Sequence, residues 1–526
     1  MPESGSRDGA DRDARGGTDR DAGAGAGRGI RGGGGRATGG SAQPGRGPRP
    51  RSVQRPAERA RTADPARLAA YTVMRAVAAG AYANLELPKV LREQGVGGRD
   101  ARFATELTYG ATRMRGLYDP VIAVAAARDT AAVDGNVLDT LRLGVHQLLH
   151  MRVPTHAAVD ATVALSRQVN GAGAAGFVNA VLRRVSERSP EEWLREVAPA
   201  RMDPLARQAV RHSHPEWVVR ALRAALIGHG TATRDTADAH LERLLECDNV
   251  PARVTLVARP GLATVAELVA AGAARGALAP TAAVLERGDP GGIAAVREGR
   301  AAVQDEGSQL VAIALAAVPV GSPDPERWLD LCAGPGGKAG LLAALAVERG
   351  ARLTANDVSE HRTALVRATL RRAVARAGAG QVLVRTGDGR TVGRDEPGAY
   401  DRVLVDAPCT GLGALRRRAE ARWRRTPADL AQLSTLQREL LASALDAIRP
   451  GGVVGYATCS PHLTETRFAV ADVLSARDDV EVLDAREPLT RVAPVLAGTL
   501  GDGPFVQLWP HVHNTDAMFL ALLRRV

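Results

Sequence analysis

Two cysteines in this chain of 526 residues lie in short motifs able to carry covalent chemistry: Asp406-Ala-Pro-Cys-Thr-Gly-Leu-Gly413 and Ala457-Thr-Cys-Ser-Pro461. Each motif follows a β-rich run, Arg402–Val405 in one case and Val453–Tyr456 in the other. A thiolate is soft and strongly nucleophilic, and a helix N-terminus or a nearby arginine lowers its pKa. It suits addition to carbon 6 of a cytosine, which makes the ring enamine-like and lets carbon 5 attack an electrophilic methyl group. A base must then take the carbon 5 proton so that the thiolate can leave. Cys409 and Cys459 are the candidates for this work. Cys247 and Cys332 read as buried structural cysteines; no CxxC or neighbouring His pair suggests a metal, so no metal is expected.

Upstream stands Asp330-Leu-Cys-Ala-Gly-Pro-Gly-Gly-Lys338. Gly334, Gly336 and Gly337 let backbone approach a ligand closely, and a helix starting near Lys338 would aim amides at it. The spacing is not that of a phosphate-binding P-loop. Acids end three further runs: Asp357, Asp388 and Asp406. One such acid can hold ribose hydroxyls and another can meet an adenine amino group. Each could separately be a helix N-cap, but three in register fit a cofactor site better. Of 69 basic residues only Lys89 and Lys338 are lysines, so Lys338 stands out where a compact ammonium would matter.

These loops need a scaffold. The runs Trp328–Leu331, Arg352–Ala355, Val382–Arg385, Arg402–Val405 and Val453–Tyr456 alternate with helical segments, which predicts a doubly wound parallel sheet over residues 301–526. Ligands on such sheets lie beyond the carboxyl ends of the strands, where all the motifs above fall. Residues 63–188 carry apolar positions at helical spacing (Leu68, Tyr71, Met74, Val77; Leu138, Leu141, Val145, Leu148) and read as an all-α bundle. Residues 189–300 read as a connector with a small α/β part, including a strand over 252–258 and a helix over 262–271. Residues 1–62 have almost no large apolar side chains and are expected to be disordered; to Arg61 they hold thirteen Arg against seven acids, net +6 of the chain's +11.

Basic charge suggests a polyanionic partner, while aromatics at 3% argue against a series of base-stacking platforms. No apolar run reaches the roughly 18 residues of a membrane span, so a cytoplasmic protein without membrane contact is expected. Arg416, Arg417, Arg418, Arg422, Arg424 and Arg425 surround Trp423 directly after the first cysteine motif and are read as phosphate-gripping residues. Thr426-Pro427 then opens a helix through Ile448.

The motifs together resemble the RNA cytosine-5 methyltransferases, and within them the bacterial Sun/RsmB group that acts on 16S ribosomal RNA. The likeness spans residues 64 to 526. It includes Thr105-Glu-Leu-Thr-Tyr-Gly110, Gly176-Phe-Val-Asn-Ala-Val-Leu-Arg-Arg184, Ser213-His-Pro-Glu-Trp217 and Gln304-Asp-Glu-Gly-Ser-Gln309. It implies a NusB-like RNA-binding bundle before a Rossmann-like domain using S-adenosyl-L-methionine. It also implies Cys459 as nucleophile and Cys409 as the residue aiding product release. Cys332, Ala333, Gly334, Pro335, Gly336, Gly337, Lys338, Asp357, Asp388 and Asp406 would line the cofactor, with Asp406 also near the cytosine. The implied target is cytosine 967 in standard 16S numbering, with small-subunit ribosomal RNA as partner, no DNA, and a monomeric protein. Gly334 stands where the group has Ala, a change expected to cost little. A transfer-RNA cytosine-5 enzyme would share the catalytic motifs; a non-catalytic assembly factor would leave both cysteines without a role. An exocyclic amine methyltransferase would need an Asp/Asn-Pro-Pro-aromatic loop, which Asp406-Ala-Pro-Cys409 is not. Deleting residues 1–60 is expected to leave turnover on saturating RNA near wild type while flattening the salt dependence of RNA binding, measured by titration at several ionic strengths.

Overall fold

The structure is a computed structural model and describes residues 63–321 and 325–526; the expectation for the tail lies outside them. Residues 65–185 form seven helices, from Pro65–Ala78 to Ala172–Val185. Asp64 caps the first by accepting from the Arg67 amide (3.0 Å), and Asp134 caps Gly135–Leu149 in the same manner. The apolar stripes meet in a common core around Tyr118, Leu141, Val145, Val178 and Leu182, all buried. Gly144 permits close helix packing, because a Cβ there would come within 2.7 Å of Leu182.

Beyond four connecting helices, a small antiparallel sheet consists of β1 (Val254–Ala258), β2 (Ala273–Arg275), β3 (Ala282–Leu285) and β4 (Ala301–Val303), in the order β2-β3-β1-β4. The sequence reading found β1 and a helix, here Val265–Ala270, but not the other strands, which are only three or four residues long. β4 pairs with β1, so this sheet ends past residue 300, the boundary drawn from sequence.

The large sheet comprises β5 (Arg327–Asp330), β6 (Arg352–Asp357), β7 (Val382–Thr386), β8 (Tyr400–Asp406), β9 (Ile448–Thr458), β10 (Val480–Leu483), β11 (Val506–Gln507) and β12 (Phe519–Arg525). Its order is β10-β12-β9-β8-β5-β6-β7, with β11 pairing to β12. The strands β5 to β9 are parallel as expected, but β12 runs antiparallel to β9 and to β10, so the sheet is mixed. An antiparallel edge on a parallel sheet needs no crossover helix, and short strands such as β10 give little periodic signal. Apolar cores cover both faces: Leu315, Leu342, Leu404 and Leu520 on one side, Val403, Val405, Leu441 and Tyr456 on the other. β8 is buried along nearly its whole length, with its apolar Val403–Val405 centre flanked by Asp401 and Arg402, which pair with Arg449 and Glu326. The helix Pro427–Ala447 starts with a capping box, Thr426 and Asp429 exchanging hydrogen bonds. No helix among the described residues is long and apolar enough to cross a membrane.

Candidate active site

All the loops named from sequence leave the carboxyl ends of β5, β6, β7, β8 and β9. β5 runs into the glycine turn, and the helix Gly337–Glu348 follows. Gly336 has φ +117°, and a Cβ there would meet Thr369 at 2.9 Å, so both its backbone and its surroundings require glycine. Gly334 donates its amide to Asp357 Oδ2 (3.0 Å), and a Cβ on it would lie 2.5 Å from that oxygen and 2.8 Å from Arg362 Cβ. With glycine at position 334 the Asp357 carboxylate packs into the space that a methyl group would occupy. Asp357 also accepts from the Ser359 amide (2.9 Å) and pairs with Arg362 (3.0 Å).

A cavity of about 610 Å³ opens here, lined by Leu331, Cys332, Asp357, Val358, Asp388, Arg390, Pro408, Gln432 and Leu436 among others. Cys332 faces it as a thiol whose pKa burial, then Asp330 and Asp406, push well up. Asp388 is held by Arg390, which contacts both carboxylate oxygens and lowers its pKa. Ala333, by contrast, is buried with its amide on Asn356 O (2.8 Å), and Pro335 is exposed at the turn. Sequence reasoning missed Val358, which is 62% exposed directly after Asp357, as well as Gln432 and Leu436 on the following long helix. An exposed valine beside a conspicuous acid was the one available signal.

Next to this cavity lie the two sulfurs. Cys409 Sγ and Cys459 Sγ are 3.4 Å apart although 50 residues separate them. Ala407 N bonds Ala457 O (2.9 Å) and Gly413 N bonds Cys459 O (2.9 Å), so the loops are stitched together through their backbones. Buried Glu465 fastens them from below, accepting from the Thr410 amide (2.7 Å), the Thr410 hydroxyl and Gln437 Nε2 (3.2 Å). His229, from the connector, meets Pro461 O at 2.9 Å. Glu465, Gln437 and His229 were not legible as site residues because they act through other residues and lie outside the motifs.

Lys338 reaches across from the glycine turn to Asp406 Oδ1 (2.9 Å) and is 8% exposed. Burial opposes its charge, but Asp406, Cys459 and Asp330 outweigh burial and raise its pKa. Asp330, at the end of β5, is fully buried, and burial followed by Asp406 pushes its carboxyl up to about 8. The cysteines diverge. The hydrogen bond from Cys409 lowers the pKa of Cys459 against burial and Asp406, with help from Lys338 and Arg418. The same bond, then burial, raises Cys409 well above its usual value. The two thiols are thus shifted in opposite directions, Cys459 toward ionisation and Cys409 away from it. Among the described residues no cluster of His, Cys, Asp and Glu is arranged to hold a metal ion.

The arginine run is a different matter. Arg416 donates to Asn514 Oδ1 (2.8 Å) and Asn514 O (3.0 Å); Arg417 donates to Asp305 (2.7 Å), Asp516 (3.1 Å) and Arg253 O (3.0 Å). Arg422 is wholly buried and donates to Ser213 O (2.9 Å), Asn249 Oδ1 (2.9 Å) and Asp248 O (3.1 Å). Arg424 donates to Val77 O and Ala81 O of the helical domain. Trp423 packs on Gly116 and donates to Thr112 O (3.1 Å). These four arginines are not phosphate-gripping residues: their planar donor forks are spent on carbonyls and carboxylates of neighbouring segments. Arg425 is half-buried, and Arg418 alone of the six is exposed.

A parallel sheet with a glycine turn after its first strand, an acid after its second and a cavity between them defines a Rossmann-like methyltransferase, here preceded by a helical domain. A model of the 16S rRNA methyltransferase RsmB/F family matches residues 319–524, and one of the NusB family matches residues 64–187. The chain is 54% identical over 473 residues to "Putative methyltransferase Rv1407" of Mycobacterium tuberculosis, covering 89% of this chain and 98% of that protein. It is 32% identical over 424 residues to "Ribosomal RNA small subunit methyltransferase B" of Pseudomonas putida, covering 80% and 91%. The crystal structure of PH0851 shares the fold with a TM-score of 0.71 at 22% identity, over 88% of this chain and 99% of that one. The chain belongs to the RsmB/F family of RNA methyltransferases.

Arg422→Ala would strand three buried acceptors, and it is expected to lower stability by about 3 kcal/mol in denaturant unfolding. Arg418→Ala should stay within about 0.5 kcal/mol of wild type in the same measurement, as an exposed substitution does.

Proposed function

We propose that this protein transfers a methyl group from S-adenosylmethionine to carbon 5 of a cytosine in 16S ribosomal RNA, with Cys459 as covalent nucleophile. The observation that carries the reading is the pair of sulfurs 3.4 Å apart on neighbouring loops, one of which lines the cofactor-sized cavity through Pro408, with the Cys459 thiol shifted toward ionisation and the Cys409 thiol away from it. The cavity residues fit the cofactor: its volume falls in the usual range for small-molecule sites, and Asp357 and Asp388 offer carboxylates for ribose and adenine groups. When bound, S-adenosylmethionine supplies an electrophilic methyl group on a cationic sulfur.

The chain's own groups divide the remaining work. Cys459 Sγ forms a bond to carbon 6 of the cytosine, and the ring electrons move to carbon 5, the site that is methylated. Asp406, fixed by Lys338, is placed beside this sulfur to meet the polar edge of the base. After methylation the carbon 5 proton is removed, the carbon 6–sulfur bond breaks, and Cys459 leaves as thiolate. Cys409 sits next to that bond and aids release. Once Cys459 is alkylated it no longer holds a charge against Cys409, so the strongest influence raising the Cys409 pKa is lifted during the adduct's lifetime. The small-subunit target rests on the relatives named for that activity and on the NusB-like bundle, which favours ribosomal over transfer RNA.

Asp357→Ala is expected to weaken S-adenosylmethionine binding by roughly 1.5–3 kcal/mol in calorimetry, the worth of a charged hydrogen-bond acceptor; unchanged affinity would remove Asp357 from the cofactor site. Cys459→Ala should abolish methyl transfer while RNA and cofactor still bind. Cys409→Ala should accumulate a protein–RNA adduct that survives denaturing electrophoresis and requires Cys459. Trapping by Cys459→Ala instead would reverse the two roles, and full activity in that variant would refute the nucleophile.

A further inference from the structure

Tyr82 belongs to the helical domain, just before the helix Ala83–Glu93, and its ring is 43% exposed. Two guanidinium groups of the segment after the Cys409 loop lie against that ring: Arg424 at 4.9 Å and Arg418 at 5.6 Å from its centroid. The position is fixed from several sides. Arg424 is held by the carbonyls of Val77 and Ala81, and the amide of Ala83 donates to Glu420 Oε1 (3.3 Å). Arg418 differs from its neighbours, being exposed, and its guanidinium makes no hydrogen bond or ion pair among the described residues. It nevertheless lies within electrostatic reach of Cys459. An aromatic ring that is both exposed and immobilised by cations is unusual in a chain with 3% aromatics.

From this juxtaposition, and resting on the RNA cytosine reading above, we infer that Tyr82 and Arg418 form a stacking platform for an unpaired RNA base flanking the target cytosine. A target cytosine must leave its stack to reach Cys459, so its neighbours lose a stacking partner as well. Tyrosine and the arginine plane are the two side-chain surfaces on which splayed RNA bases stack, and arginine adds charge toward the adjacent phosphate. Pre-ordering of Tyr82 by Arg424 means little side-chain freedom remains to be lost on binding. The helical domain thereby contributes directly to substrate placement and is more than a distant anchor.

The test uses the full chain with saturating S-adenosylmethionine. Bisulfite sequencing first locates the cytosine that wild type methylates, and a short RNA containing it is made with an abasic residue at each flanking position in turn. Tyr82→Ala is expected to raise KM for the intact RNA about tenfold with kcat within about twofold, as loss of one base stack would. Tyr82→Phe should stay within about twofold of wild type, and melting temperature and cofactor affinity should not move. One abasic position should raise the wild-type KM by a similar factor and add nothing in Tyr82→Ala. An unchanged KM in Tyr82→Ala, or abasic penalties at every position that add fully to the variant's, overturns the platform alone. So does a KM increase that tracks a fall in melting temperature, which would make Tyr82 an interdomain prop. A wild-type chain that methylates no cytosine overturns the functional reading and the platform with it.

Discussion

The register of β8 against β9 is the constraint on which the catalytic geometry depends. Asp406 pairs opposite Ala457, so the loops that follow leave the sheet side by side. The pairing continues beyond the strands through Ala407 N to Ala457 O, and Glu465 then draws Thr410 and Gln437 into the same buried knot. Burying a carboxylate is costly unless donors surround it, and here backbone, hydroxyl and amide donors all converge. The knot sets the loop conformation, and the loop conformation sets the separation of the sulfurs. A register slip would break the alignment of Asp406 with Ala457 and carry the two loops, and so the sulfurs, out of register.

Around that knot the surroundings push the two thiols in opposite directions, Cys459 toward ionisation and Cys409 away from it. Asp330, Asp357 and Asp406 gather at the ends of neighbouring strands, where Lys338 pairs with Asp406 and Arg362 with Asp357. In a partly desolvated site such interactions count for more than they would in water. A lysine ammonium can approach Asp406 as a point charge without the five-donor plane of arginine, and a chain that otherwise uses arginine almost throughout has lysine at this position.

The same arginine-rich composition serves a separate structural purpose. Arg416, Arg417, Arg422 and Arg424 form a strap from the catalytic loop to the C-terminal loop, the small sheet, the connector and the helical domain. Each guanidinium satisfies several acceptors, as arginine's donor fork permits. The placement of the helical domain against the catalytic loop, and so of Tyr82 against Arg418, follows from these polar contacts more than from an apolar interface.

Much of the site was legible without coordinates. The Pro-Cys and Thr-Cys motifs, the glycine turn and the acids at strand ends are local patterns, dictated by what a strand-to-loop transition needs, and the apolar periodicities marked the helical bundle and the parallel strands. What the sequence could not disclose were relations between distant segments. That Gly334 packs against the Asp357 carboxylate depends on β5 and β6 being neighbours; that Glu465 fastens two loops depends on β8 and β9 being neighbours. The arginine run misled for the same reason: a guanidinium in a sequence looks free for phosphate, and only the fold supplies the carbonyls that claim it. Sequence determined which groups were available for chemistry, since residue type and local spacing are written in it directly. Tertiary structure decided which of them meet and in which direction each cysteine is shifted, because hydrogen bonds and desolvation depend on neighbours that are close in space and far apart along the chain.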